Sequence, residues 1–151
     1  MFQGIKIQIS IELKVLIFQG EGNTVSGIPK ILIVDDERDL RESLRLTLED
    51  KYAVATAAEA EDAFKYMADY SVNLVLLDFK MPRIDGITAL GEIKKRHPDT
   101  EVIMMTAYAP PETIRKVFSL GAFAFVMKPF DIDKLINTID EALLKRTLRI
   151  S

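Results

Sequence analysis

Five short apolar runs recur along the chain, and each is followed by a segment with helical spacing. The runs are Ile31–Val34, Ala53–Thr56, Leu74–Leu77, Val102–Met105 and Phe123–Met127. Four of them are continuous rather than alternating, which is typical of strands that helices cover on both faces. The second run is weaker and indicates a less buried strand. The runs therefore predict five strands of a parallel sheet.

The segments after the runs carry apolar residues three or four positions apart, the spacing of an amphipathic helix. The stripes are Leu40, Leu44 and Leu48; Ala60, Ala63, Phe64 and Met67; Leu90 and Ile93; Ile114, Val117 and Phe118; and Leu135, Ile136, Ile139, Ala142 and Leu143. Asp85-Gly86 and Asp131 are suited to begin the third and fifth helices, and Gly121 to end the fourth. The alternation predicts a (βα)5 doubly wound α/β fold, flavodoxin-like, with strand order 2-1-3-4-5.

The residues before the first run form an extension with a different pattern. Apolar residues stand at every second position of residues 5–15, which predicts a β-strand within residues 4–18, and a glycine-rich linker follows. The expected boundaries are residues 1–27 for the extension, 28–148 for the main domain and 149–151 for a short tail. Three interpretations of the extension remain open: an added edge strand, an element of a homodimer, or added residues that matter little.

Charge and composition limit the partners and the compartment. The net charge of −3 and the lack of long basic runs argue against nucleic-acid binding by this chain alone. The absence of cysteine excludes disulfides and thiolate chemistry and suits a reducing compartment. Lys6, Glu12 and Lys14 interrupt the apolar residues near the start, and no stretch reaches the roughly 18 to 20 apolar residues of a membrane span. We therefore expect a cytoplasmic protein with no membrane partner.

Acidic residues end two of the predicted strands. Asp35, Asp36 and Glu37 directly follow the first run, and Asp78 follows the third. In a sheet of this strand order the first and third strands are neighbours, and ligands bind at their carboxyl ends. Like charges that are this close repel, so the cluster must hold either protons or a cation. Oxygen ligands with room for water favour Mg²⁺ over a calcium cage.

A hydroxyl group and an ammonium group are predicted at the same edge of the sheet. Thr106 follows the fourth run and Lys128 follows the fifth. An acceptor carboxylate, a metal that offsets charge, and a lysine and a hydroxyl for the phosphoryl oxygens are the parts of a phosphoryl-transfer site.

The strings KILIVDD, LVLLD, MTAY and KPF, in this order, make residues 29–148 resemble the receiver domain of two-component response regulators. The resemblance implies that Asp78 is the phosphoacceptor and takes the phosphoryl group from a phosphohistidine on a sensor histidine kinase or a histidine phosphotransfer protein. It also implies Mg²⁺ as the cofactor. Asp36, Asp78 and the backbone carbonyl of Lys80 would bind the ion directly, and Asp35 would act through its water shell.

The same resemblance implies a conformational switch. Thr106 and Ala107 would bind the phosphoryl oxygens, Lys128 would pair with them, and Phe125 would be the aromatic switch residue. The bond between Lys128 and Pro129 matches the position of a cis peptide in this family.

Lys80 and Tyr108 occupy positions that tune the access of hydrolytic water in this family. We expect their bulky side chains to lengthen the lifetime of the phosphoryl group, and the alternative is that they are ordinary loop residues. The strings are also similar to those of single-domain phosphorelay receivers, such as the sporulation initiation phosphotransferases. The chain departs from that subgroup at Phe125, where the subgroup has histidine, and in its N-terminal extension.

The expected function is a phosphorylation-activated signalling receiver that binds a downstream protein through its helix 4/strand 5/helix 5 face. Such a switch catalyses only its own phosphorylation and dephosphorylation and is not a turnover enzyme. One alternative is the receiver portion of a larger DNA-binding transcriptional response regulator. A further alternative is a phosphatase of the haloacid dehalogenase type. That family needs two aspartates separated by one residue after its first strand, whereas Asp35 and Asp36 are adjacent.

Overall fold

A computed structural model describes residues 27–150 and contains the five expected strands and five expected helices. The strands are β1 (Lys30–Val34), β2 (Ala53–Ala57), β3 (Leu74–Asp78), β4 (Glu101–Thr106) and β5 (Ala124–Met127). The helices are α1 (Arg38–Leu48), α2 (Ala60–Asp69), α3 (Gly86–Arg96), α4 (Pro111–Ser119) and α5 (Ile132–Ile150). The strands pair in parallel in the order β2-β1-β3-β4-β5. The predicted flavodoxin-like fold and its strand order are confirmed.

Successive side chains of each strand point to opposite faces of the sheet, and each face has its own apolar core. Leu32 and Val34 of β1 lie in the core beneath α2, α3 and α4. Ile31 and Ile33 lie in the core beneath α1 and α5. Because helices cover both faces, the inner strands β1, β3 and β4 are buried along nearly their whole length, which explains their continuous apolar runs.

The two edge strands are less buried than the inner ones. β2 is half-buried, as its weaker apolar run predicts. The continuous run of β5 predicts a strand covered on both faces, and this expectation is wrong, because β5 is half-buried and Met127 is 51% exposed. Among the described residues, β5 pairs with β4 and lies at the edge of the sheet, so the flanking helices cover it incompletely. Phe118, expected in the apolar stripe of α4, is likewise 47% exposed.

Helix α5 continues beyond the domain end expected at residue 148. Arg149 forms an ion pair of 2.5 Å with Glu101, a buried residue at the start of β4. Arg146 donates a hydrogen bond of 2.7 Å to the backbone carbonyl of Asp99. These contacts hold the last turns of the helix, and residues 149 and 150 are helical.

The strand predicted within residues 4–18 lies outside the described residues. Within residues 27–150, no helix combines the length and the apolar character that crossing a membrane requires.

Candidate functional site

The acidic residues that follow β1 and β3 meet at one edge of the sheet. Asp35, Asp36 and Asp78 each place a carboxylate oxygen within 4.8 Å of the other two. β1 and β3 are paired neighbours, with Val34 beside Leu77, so their carboxyl ends are adjacent. Asp35 and Asp78 are buried, whereas Asp36 is exposed. The structure therefore places three carboxylates in one cluster that opens to solvent at Asp36.

Lys128, just after β5, reaches the same cluster. Its Nζ donates hydrogen bonds to Oδ2 of Asp35 at 2.8 Å and to Oδ1 of Asp78 at 3.2 Å, and it lies 3.8 Å from Oε1 of Glu37. Burial alone would lower the pKa of Lys128, but the hydrogen bond and charge of Asp35, together with the charge of Asp78, raise it above its ordinary value. Lys128 is therefore a fixed positive charge at the cluster.

The charge of Lys128 does not balance three carboxylates. Burial of Asp78, followed by the negative charge of Asp35, raises the pKa of Asp78 to about 6, although Lys128 opposes this shift. A divalent cation would supply the missing positive charge. Because the donor atoms are carboxylate oxygens and one side of the cluster is open to water, these residues fit Mg²⁺.

Asp35 and Asp36 differ in how much of their carboxylate is available to a cation. Both oxygens of Asp35 already accept hydrogen bonds, Oδ1 from the backbone N–H of Glu37 at 2.8 Å and Oδ2 from Lys128. Asp36 is exposed and lines a cavity of about 450 Å³. That Asp36 binds a cation directly and Asp35 acts through water stays a prediction.

Thr106 ends β4 and is buried beside the cluster. Its hydroxyl donates a hydrogen bond of 2.9 Å to the carbonyl of Tyr108 and accepts one of 3.2 Å from the backbone N–H of Tyr108. The hydroxyl is thus bound to its own loop. The backbone carbonyl of Thr106 accepts a hydrogen bond of 2.6 Å from the N–H of Lys128, which links the end of β4 to the residue that follows β5. Ala107 and Tyr108 are exposed at the rim.

Phe125 lies on the edge strand β5 beside Met104. It is half-buried and packs against the core beneath α2, α3 and α4. Its role as an aromatic switch stays a prediction. The Lys128–Pro129 peptide bond is cis, as the resemblance implies.

The loop between β3 and α3 forms a wall of the cavity and carries Lys80, which is exposed. The loop ends in a close contact at Gly86. A Cβ atom at this position would lie 2.4 Å from the carbonyl oxygen of Asp78 and 2.8 Å from the Cα of Phe79. Glycine is therefore required where α3 begins against the strand that presents Asp78.

Two sets of contacts near the site were not foreseen from the sequence. Arg41 of α1 donates a hydrogen bond of 2.7 Å to the backbone carbonyl of Asp35. The position of Arg41 early in α1 could have indicated this contact, because helical side chains point towards the N-terminus of their helix. Arg83 pairs with Glu59 at 2.6 Å, between the loops that follow β3 and β2. No local pattern predicts a pair whose members are 24 residues apart.

Comparisons with known proteins agree with this geometry. A sequence profile of the response regulator receiver domain matches residues 31–140. The chain belongs to the response regulator receiver family. The receiver is 33% identical to the chemotaxis protein CheY of Halobacterium salinarum, over 76% of this chain and 96% of CheY. A CheY-like receiver domain from Methanospirillum hungatei has a TM-score of 0.78 at 32% identity and covers 81% of this chain and 98% of that chain.

The receiver also resembles one part of larger regulators. The regulatory protein AtoC of Escherichia coli is 37% identical over 83% of this chain, which spans 27% of AtoC. The nitrogen assimilation regulatory protein NtrX of Azorhizobium caulinodans is 37% identical over 80% of this chain, which again spans 27% of the relative. Receiver domains are phosphoacceptor switches of two-component signalling, and they interact with histidine kinases or phosphotransfer proteins. The family implies Mg²⁺ at the acidic site, and the family identified from the sequence motifs is confirmed.

Proposed function

We propose that this receiver accepts a phosphoryl group on Asp78 from a phosphohistidine and changes a partner-binding surface in response. The position of Asp78 carries the proposal. Its side chain is 6% exposed, and its carboxylate lies 3.2 Å from the ammonium of Lys128 and belongs to a cluster with two more aspartates. A buried nucleophile beside a fixed positive charge is the arrangement that phosphoryl transfer requires.

In the proposed reaction an oxygen of Asp78 attacks phosphorus and the bond from phosphorus to the histidine nitrogen breaks. The nitrogen keeps the bonding electrons and takes up a proton. The attacking oxygen of Asp78 gives up its negative charge to the new bond, and Lys128 would pair with the phosphoryl oxygens, which carry the negative charge after transfer. Mg²⁺, bound by Asp36, Asp78 and the Lys80 carbonyl with Asp35 acting through water, would offset charge on the phosphoryl oxygens. The receiver would catalyse only this step and the later hydrolysis.

The proposed switch begins at Thr106. A phosphoryl oxygen accepts a stronger hydrogen bond than a backbone carbonyl, so the Thr106 hydroxyl would leave Tyr108 for the phosphoryl group. The backbone N–H of Ala107 would then also donate a hydrogen bond to a phosphoryl oxygen. Space left by Thr106 would then favour the inward position of Phe125, as a shift between two existing populations.

The switch would reshape the face formed by α4, β5 and α5. Phe118 of α4 and Met127 of β5 are large apolar side chains exposed on these elements, at 47% and 51%. Such residues form contacts readily with a protein partner. We propose that this face binds a downstream target, or a second copy in a homodimer, and that the protein works in the cytoplasm beside a sensor histidine kinase or a phosphotransfer protein.

A second candidate is the receiver of a larger DNA-binding transcriptional regulator. It is favoured by the similarity to AtoC and NtrX, of which this chain spans only 27%. The native reading frame after Ser151 distinguishes the two: an output domain encoded in frame supports the second candidate, and a native stop codon supports a single-domain receiver.

The test of the proposed function is phosphorylation followed by intact mass. The protein is incubated with a phosphorylated histidine kinase or with acetyl phosphate, with and without Mg²⁺. We expect one phosphoryl adduct that depends on Mg²⁺ and is absent in Asp78→Asn. Asp85→Asn is a matched control, because Asp85 is exposed on the same cavity and asparagine still caps the N–H of Thr88. An adduct that persists in Asp78→Asn, or that forms equally without Mg²⁺, contradicts the proposal.

A further inference from the structure

We propose that the ion pair between Arg83 and Glu59 positions the loop that completes the Mg²⁺ site, a role that rests on the proposed function of Asp78. Arg83 lies in the loop after β3, and Glu59 lies in the loop after β2. Nη2 of Arg83 is 2.6 Å from Oε2 of Glu59. The pair therefore joins two loops at the sheet edge that carries the acidic cluster.

The backbone of Arg83 needs support from outside the loop. Arg83 has a φ of 65°, and within residues 27–150 the other residue with a positive φ is a glycine. The left-handed conformation is unfavourable for residues with a Cβ atom, so a loop with arginine here tends to relax towards other conformations. The contact of the Arg83 side chain with Glu59 opposes that relaxation.

The side chain of Glu59 contacts Arg83 and does not cap its own helix. It occupies the N-cap position of α2, yet its side chain makes no capping hydrogen bond. Short side chains are the ones that cap helices effectively, whereas glutamate is long enough to reach a neighbouring loop. The Glu59 side chain is 20% exposed and that of Arg83 is 66% exposed. Glu59 is thus the more firmly packed member to which the loop is attached.

The loop that Arg83 holds faces the acidic cluster. Loop residues line the cavity together with Asp36. One end of the loop is fixed by the hydrogen bond of 2.8 Å from the N–H of Phe79 to the carbonyl of Met105, and the other by the close contact of Gly86 with Asp78. Lys80, whose carbonyl is the proposed third ligand, lies between these ends. Because the ion pair already holds the loop at Arg83, less conformational entropy is lost when the ion binds, and the affinity for the ion is higher.

The test is a double-mutant cycle in Mg²⁺ affinity, measured by isothermal titration calorimetry on Arg83→Ala, Glu59→Gln and the double variant. Alanine keeps the Cβ atom and with it the unfavourable left-handed backbone, so Arg83→Ala removes the ion pair and leaves the tendency of the loop to relax. We expect each single variant to weaken Mg²⁺ binding about threefold and the double variant to weaken it no further. Unchanged affinity in either single variant, or losses that multiply in the double variant, would overturn the positioning role.

Two controls complete the experiment. Glu92→Gln breaks the exposed pair of 3.2 Å between Arg96 and Glu92 on α3, and it should leave Mg²⁺ affinity unchanged. Thermal midpoints without Mg²⁺ should show that Arg83→Ala is still folded at the temperature of the titration, so its weaker binding is not due to unfolding. If the wild type shows no Mg²⁺-dependent adduct, the proposed function fails. If the wild type forms the adduct and the cycle shows no coupling, the positioning role alone fails.

Discussion

The Nζ atom of Lys128 lies 3.2 Å from Oδ1 of Asp78, although 50 residues separate the two in the chain. The sheet brings them together, because Asp78 ends β3 and Lys128 follows β5, two strands that both pair with β4. The contact gives the proposed acceptor a permanent positive neighbour. Lys128 does not fully stabilise the charged carboxylate, since burial and the negative charge of Asp35 still raise the pKa of Asp78 to about 6.

Asp78→Asn should stabilise the metal-free protein at neutral pH. The pKa of Asp78 is raised from 3.8 to about 6, so the folded state binds the proton more tightly than the unfolded state does. Protonated Asp78 stabilises the folded state fully below about pH 4, and this contribution to stability is lost as the pH rises through about 6. The substitution should raise the free energy of unfolding by about 2 kcal/mol at about pH 7.5 and by little at about pH 4. Urea denaturation in the presence of a chelator measures both values.

The exposed Asp62 of α2 provides the control for this experiment. Asp62→Asn should change the free energy of unfolding little at either pH. A gain in Asp78→Asn that is equal at the two pH values would contradict the assignment, because it would not come from the carboxylate charge.

Mg²⁺ should raise the thermal midpoint of the wild type at neutral pH, and a chelator should reverse the rise. An ion that binds the folded state alone stabilises it in proportion to the logarithm of its concentration. Asp36→Asn should abolish most of the effect, because Asp36 is the exposed carboxylate of the cluster. Differential scanning calorimetry over a Mg²⁺ series tests this, with Asp62→Asn as the control that keeps the full response. A full response in Asp36→Asn would place the ion elsewhere.

The fold and the centre of the site could be predicted because both depend on periodic patterns. The apolar runs give the ends of the strands, and parallel order brings Asp35 and Asp78 to one edge. The exposure of Met127 could not be predicted in this way, because an apolar run looks the same in an edge strand as in an inner one. The pairing of Arg83 with Glu59 depends on the conformations of two loops, which no repeating pattern encodes.

Gly86→Ala and Gly91→Ala should have opposite effects on stability. A Cβ atom at residue 86 would lie 2.4 Å from the carbonyl oxygen of Asp78, whereas nothing lies within 4 Å of one at residue 91. Gly86→Ala should therefore lower the free energy of unfolding by about 3 kcal/mol, since backbone must move. Gly91→Ala, within α3, should raise it by about 0.5 to 1 kcal/mol. Urea denaturation checks both, and similar values for the two variants would contradict the close contact.

The lifetime of the phosphoryl group should depend on Lys80 and Tyr108. Lys80 lines the cavity beside Asp36, and Tyr108 is 69% exposed on the loop to which the Thr106 hydroxyl is bound. When Thr106 turns to the phosphoryl group, this loop should follow and carry the Tyr108 ring over the site. The two side chains would then restrict the in-line approach of water, which hydrolysis of the aspartyl phosphate requires.

A double variant, Lys80→Ala with Tyr108→Ala, should therefore lose its phosphoryl group several times faster than the wild type. Intact mass followed over time after removal of the phosphodonor gives the half-life. The control is Lys95→Ala with Tyr70→Ala, which removes an exposed lysine and an exposed tyrosine away from the acidic cluster and should keep the wild-type half-life. An unchanged half-life in the first double variant would mean that both residues are ordinary loop residues. In that case, the acidic cluster, Thr106 and Lys128 would control access of water without them.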